Sequence, residues 1–119
     1  MTLFDTTQIA LERAVSGSSM RHSVLAGNIA NANTPGYLRR DVDFHSTLRQ
    51  ALADDGADLR SVQFSAQTDG SAVMQADGNG VDIDVESANL AKNGLEYQSL
   101  VTVARGRIDV LLAAIGASG

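Results

Sequence analysis

Asn28, Asn31 and Asn33 stand within six positions of one another, directly ahead of Thr34-Pro35-Gly36-Tyr37, and the chemistry this spacing offers is hydrogen bonding by side-chain amides. An asparagine amide both donates and accepts, and it competes for nearby backbone, which makes the residue a weak helix former. Three of them together at the end of an amphipathic run point to contacts beyond local propensity. Pro35 has no backbone donor and pushes Thr34 out of the helical region, while Gly36 can take the positive φ of a type II turn. The wording therefore predicts a helix that stops by Asn33 and a turn behind it.

The other groups that could do chemistry lead nowhere specific. From Asp77 to Glu86 the chain reads Asp-Gly-Asn-Gly-Val-Asp-Ile-Asp-Val-Glu, and hard oxygen ligands at alternate positions suit calcium. An EF-hand, however, needs an oxygen ligand where Val81 sits and a glycine where Asp82 sits, so a loop leading to a helix cap is the better reading. His22 and His45 are the only histidines, and neither has a Glu or His three or four residues on to make a helical metal face. There is no cysteine, which excludes disulfides, thiolate nucleophiles and Cys-based zinc sites. Neither a Gly-x-Ser-x-Gly elbow nor a Gly-Lys-Ser/Thr phosphate loop occurs. The residues imply no catalysis, no cofactor and no metal.

Charge narrows the partners. Residues 1–40 carry four bases against two acids, residues 41–88 carry ten acids against Arg49 and Arg60, and residues 89–119 carry three bases against two acids, for a net charge of −5. No basic stripe matches a phosphate backbone, and an acidic middle is repelled by nucleic acid and by anionic membranes alike. No stretch reaches the length of a membrane span, and the N-terminus lacks the pattern of a cleaved signal peptide.

Long elements must position the amides. Phe4, Gln8, Leu11, Val15, Ser18, His22, Leu25, Ile29 and Ala32 alternate spacings of four and three, the seam of a helix packed on another helix, with Asp5 or Thr6 as a possible cap. Leu90, Gly94, Tyr97, Val101, Ala104, Ile108, Leu111 and Ile115 repeat that rhythm, capped by Asp82 or Asp84 and closed by Gly116 to Gly119. At 1.5 Å per residue, helices over about 5–33 and 84–115 run roughly 43 and 48 Å, so an antiparallel pair of matched length is expected. Between them, Phe44, Leu48, Ala51 and Leu52 mark a short helix closed by Asp54-Asp55-Gly56. Val62, Phe64 and Ala66 alternate as in a strand that could pair with residues 72–75, and residues 76–80 read as a joint. The fold class is mainly α: two long terminal helices packed antiparallel as a coiled-coil-like pair, with a small middle segment containing a β-hairpin. Residues 1–37 and 81–119 form one core domain, and residues 38–80 an acidic middle element. At 119 residues with no Trp, such a chain has little core for its surface.

From Ala26 to Tyr37 the chain resembles the N-terminal signature of bacterial flagellar rod and hook proteins, Ala-Asn-Asn-Ile-Ala-Asn-x-x-Thr-Pro-Gly-Tyr. Ala26, Asn28, Ile29, Ala30, Asn31, Thr34, Pro35, Gly36 and Tyr37 match, Asn33 lies within the variable pair, and Gly27 stands where the signature has asparagine. Arg40 to Phe44, Asn79 to Asp84 and Asn93 to Gln98 are similar to the most proximal rod proteins of that family. The resemblance implies a non-enzymatic subunit of the flagellar basal body that assembles through its terminal helices into a tube around the export channel and transmits torque. It implies as partners other copies of itself, other flagellar rod proteins, the rod-base adaptor, the membrane-supramembrane ring and the export gate. Location in the periplasmic rod, after type III export without a cleaved signal, follows in the same way. The alternatives are a cytoplasmic helical export chaperone and a small calcium-binding module.

Overall fold

The computed structural model describes residues 2–69 and 80–118. Helix α1 (Thr2–Ala30) and helix α3 (Ile83–Ser118) pack along one another. Contacts between Asn28 and Glu86, and between Ser18 and Asn93, fix their antiparallel sense, since one partner's number falls as the other's rises. The middle segment holds helix α2 (Phe44–Ala53), a 3-10 turn (Leu59–Ser61) and strands β1 (Arg40–Asp41) and β2 (Gln67–Thr68), which pair antiparallel with Arg40 opposite Thr68. The molecule measures 65 × 29 × 14 Å, and its radius of gyration of 18.0 Å exceeds the roughly 13.5 Å of a compact chain this long. It is a rod with a small knob.

Local sequence accounts for most boundaries. Asp43 caps α2 by accepting from Ser46 N–H, and α2 buries Phe44 and Leu48. Asp82 caps α3, its Oδ1 accepting from the N–H groups of Asp84 at 3.0 Å and Val85 at 3.3 Å. Asp5 and Thr6 do not cap α1, because the helix already begins at Thr2 and continues through them. Nor are the two helices matched in length: α1 has 29 residues and α3 has 36, with Gly116 still helical.

The apolar core lies where the middle segment folds onto α1. Ala14, Val42, Phe44 and Leu48 form it, with Val24, Phe64, Ala66 and Leu100 packed around them. Phe44 meets Phe64 edge to face, ring centres 6.2 Å apart, and Arg13 covers Phe64 while donating to the Val62 carbonyl. Gly17 makes this approach possible: a Cβ there would lie 2.6 Å from the Phe44 Cβ. Val62, Phe64 and Ala66 do alternate half-buried with exposed neighbours, yet the ladder that follows, at Gln67–Thr68, runs to β1. Residues 72–75, its expected partner, lie outside the described residues. Gly80, expected in a joint, is buried and pinned, its N–H donating to the Tyr37 carbonyl at 2.8 Å.

The helix seam departs from the apolar pattern on α3. The buried positions there are Glu86 and Asn93, which turns the inner face about one residue away from the Gly94, Val101, Ile108, Ile115 row. Leu25 is fully buried on α1 and Leu11 and Val15 partly so, while Leu90, Val101, Ala104 and Leu111 are half-buried. Tyr97, Ile108 and Ile115 are exposed.

Candidate functional site

The asparagine signature builds a reversal and then locks it. Gly36 has φ 77°, and Tyr37 N–H reaches the Thr34 carbonyl at 3.2 Å, which together make the type II turn. Asn31 finishes α1: its N–H bonds to the Gly27 carbonyl at 3.0 Å, and its side-chain Nδ2 donates to the same carbonyl at 2.8 Å. Its Oδ1 accepts from Thr34 Oγ1 at 3.1 Å, tying the last helical turn to the start of the next. The Gly27 carbonyl is among those a helix end leaves in need of a partner.

The returning chain then passes Asn28, which is fully buried. Asn28 Nδ2 donates to the Arg40 carbonyl at 2.7 Å, and Arg40 N–H donates back to Asn28 Oδ1 at 3.0 Å. One side-chain amide thus does for Arg40 what a neighbouring strand would do. Tyr37 Oη donates to the same Oδ1 at 3.1 Å, and Nδ2 also donates to Glu86 Oε2 on α3. A residue of α1 therefore holds the turn, the first strand and the opposite helix at once.

Charge completes the junction. Glu86, also buried, accepts from Arg39 Nε at 2.9 Å and from Asn89 Nδ2 at 3.2 Å. Arg39 further donates to Asp69 Oδ2 at 2.6 Å and Asp41 Oδ2 at 3.0 Å, and Arg21 on α1 grips Asp41 with two bonds of 2.7 and 3.2 Å. Burial pushes the Asp41 carboxyl up, but the bonds from Arg21, Arg39 and Val42 N–H outweigh it and hold the group below the usual carboxylate range. Its hydrogen bond to Asp41 raises the pKa of Arg21. Burial works against the Arg39 charge, and the bonds to Asp41, Glu86 and Asp69 still leave its pKa raised. An arginine fork fits such carboxylates geometrically as well as by charge. The arrangement fixes orientation among α1, β1, β2 and α3. Among the described residues no cluster of His, Cys, Asp or Glu could hold a metal ion, and no helix is long and apolar enough to cross a membrane.

The residues of the calcium-like run are used otherwise. Asp82 caps α3 and Glu86 belongs to the ion network, while Asp77 to Asn79 lie outside the described residues. Of the signature residues, Asn28 is buried, Ile29, Asn31 and Tyr37 are half-buried, and Ala26, Ala30, Asn33, Thr34, Pro35 and Gly36 face outward. The meeting of Arg21, Arg39, Asp41, Asp69 and Glu86 was not legible in the sequence, because charged side chains spread over 66 positions carry no periodic sign of it. Asn93 is similar: fully buried, it donates to the Ser18 carbonyl at 2.8 Å across the helix pair.

Residues 7–37, which contain both the Asn28 hub and the turn, match the family model described as flagella basal body rod protein. The flagellar basal body rod protein FlgB of Bacillus subtilis is 37% identical, over 93% of this chain and 94% of its own length. The chain belongs to the flagellar basal body rod protein family. Further rod relatives, the FlgB proteins of Escherichia coli and Salmonella typhimurium, are 36% and 32% identical over 85% and 84% of the chain, and 86% and 88% of their own lengths. The rod family is structural and non-enzymatic. In this rod protein Gly27 replaces an asparagine of the signature, and a Cβ at Gly27 would meet nothing within 4 Å, so the site has room for one.

Proposed function

We propose that the chain is a structural subunit of the proximal rod, in which its terminal helices pack with those of other copies and of other rod proteins. The tube so formed surrounds the export channel and transmits torque. Residues 1–37 and 81–119 act as its core domain, with residues 38–80 carried outside. The rod-base adaptor, the membrane-supramembrane ring and the export gate are its neighbours at the base, and its place is the periplasmic rod.

One observation supports this most: α3 displays large apolar groups on the outside of a 65 Å rod-shaped molecule, with Val110, Leu112 and Ile115 each more than three-fifths exposed. Burying such groups contributes about 25 cal/mol per Å2, so association rather than folding uses them. Leu11, Val15, Leu25, Leu90, Tyr97, Val101, Ala104, Ile108, Leu111 and Ile115 then serve two seams, one within the copy and one between copies. The Asn28 junction sets the angle at which the middle segment leaves that core.

Deleting the gene and restoring it on a plasmid tests the reading. Loss of swimming and of complete basal bodies, both regained with the wild-type chain but not with Val110→Asp/Leu112→Asp, is expected. Normal basal bodies in the deletion strain would refute it.

A further inference from the structure

At the end of the molecule where α1 begins and α3 finishes, two surfaces of opposite character lie side by side. The first is a groove of about 330 Å3 between α1, α2 and the 3-10 turn, floored by Ile9, Leu52 and Leu59 and edged by the exposed carboxylates of Asp54, Asp55 and Asp58. Among the described residues, none of the chain's own α3 lines it. The second is a stripe on α3. Arg105, Ile108, Leu112 and Ile115 follow spacings of three, four and three, which puts them on one helix face, and all four are exposed.

From this pairing we propose that the Arg105 to Ile115 stripe of one copy docks in the acid-edged groove of the next. Charge selects the occupant. Ile83 and Val85, also exposed on α3, sit among Asp82 and Asp84 and would bring acid to acid, whereas Arg105 leads the distal stripe. The stripe supplies three apolar side chains for a floor of three, with its cation at one end for the rim. Because Ser18 lies opposite Asn93, the register of the helix pair places residue 9 and residue 105 at the same end of the long axis. The contact is therefore lateral. Groove and stripe are different surfaces, so the interface is heterologous and repeats from copy to copy, forming a ring or a helical row.

This contact deepens the rod reading and rests on it, and charge reversal separates the two. In the deletion strain, a chain with Asp54→Lys/Asp55→Lys, and separately one with Arg105→Glu, should each lower complete basal bodies at least tenfold, and the chain carrying all three changes should restore half or more. All are exposed positions, and circular dichroism of each purified variant should match the wild type. An Asp54→Lys/Asp55→Lys chain that assembles normally, or a triple variant no better than its parents, would overturn the contact while leaving the rod reading intact. A second readout uses the absence of native cysteine. With Leu52→Cys/Ile108→Cys and a short bismaleimide, basal bodies should yield a ladder of multimers absent from either single variant, and swimming cells without a ladder would equally overturn it. A deletion strain that swims normally would instead remove the rod reading, and with it the contact that rests on that reading.

Discussion

Replacing Asn28 with alanine should be the most damaging small change in this chain. It removes no bulk that the core needs, but it deserts four partners at once: the Arg40 N–H at 3.0 Å, the Arg40 carbonyl at 2.7 Å, the Tyr37 hydroxyl at 3.1 Å and Glu86 Oε2. A buried polar group left unpaired costs about 1–3 kcal/mol, and more if charged. The Tyr37 hydroxyl and the Arg40 backbone are only part-buried and can turn to water, and Glu86 keeps Arg39, so the four losses do not add. A net cost of about 3–5 kcal/mol remains, in the range of a broken buried network. With a urea dependence of about 1–3 kcal/mol/M, the unfolding midpoint should fall by roughly 2 M, read by far-UV circular dichroism on the purified chain. Amide exchange at Arg40 should rise in step. Asn28→Asp keeps the shape and one acceptor but sets a carboxylate against Glu86, so at neutral pH it should cost at least as much. A midpoint within about 0.3 M of wild type for the alanine variant would refute the hub.

Other outcomes follow from the same geometry. Gly17→Ala should destabilise by about 1–3 kcal/mol despite its better helix propensity, because the new methyl meets the Phe44 Cβ at 2.6 Å. Gly106→Ala, in open space, should instead stabilise by about 0.5–1 kcal/mol; paired thermal melts compare them. Gly36→Ala forces an L side chain to φ 77° and should cost about 1–2 kcal/mol in urea unfolding. Since the native Asp41 carboxyl titrates below its ordinary value, its contribution is fully present above about pH 4 and is lost as pH falls through the lower native value. Asp41→Asn should therefore flatten the acid limb of stability against pH, and an unchanged limb would show that the Arg21 and Arg39 bonds carry no linkage.

What the sequence revealed was what neighbours in sequence decide. Pro35-Gly36 specified the type II turn, Asp82 the cap of α3, and Phe44 with Leu48 the buried face of α2, each through contacts within a few residues. The end of α1 fell at Ala30, ahead of the expected Asn33, because Asn31 spends its amide on Gly27. Long-range partners were not legible. Asn28 meets Arg40 and Glu86 at separations of 12 and 58 residues, and no spacing rule announces them. Glu86 and Asn93 carry no apolar signal in the seam rhythm, although Arg39, Asn28 and the Ser18 carbonyl satisfy them inside; this turned the inner face of α3 by one residue. Nothing near Gly17 in sequence announces its role, since Phe44, which needs the space, is 27 residues away. Strands of two residues are too short to show any alternation.

Burial of distal α3 by other subunits can be measured at a single site. Val110 is 69% exposed in the isolated chain, which has no native cysteine, so Val110→Cys gives one thiol whose reaction with a maleimide reports its surroundings. In the purified monomer it should label at the rate of a free surface thiol, and in basal bodies isolated from swimming cells at least tenfold more slowly. Equal rates in the two states would mean that α3 stays uncovered in the rod, contradicting assembly through this helix.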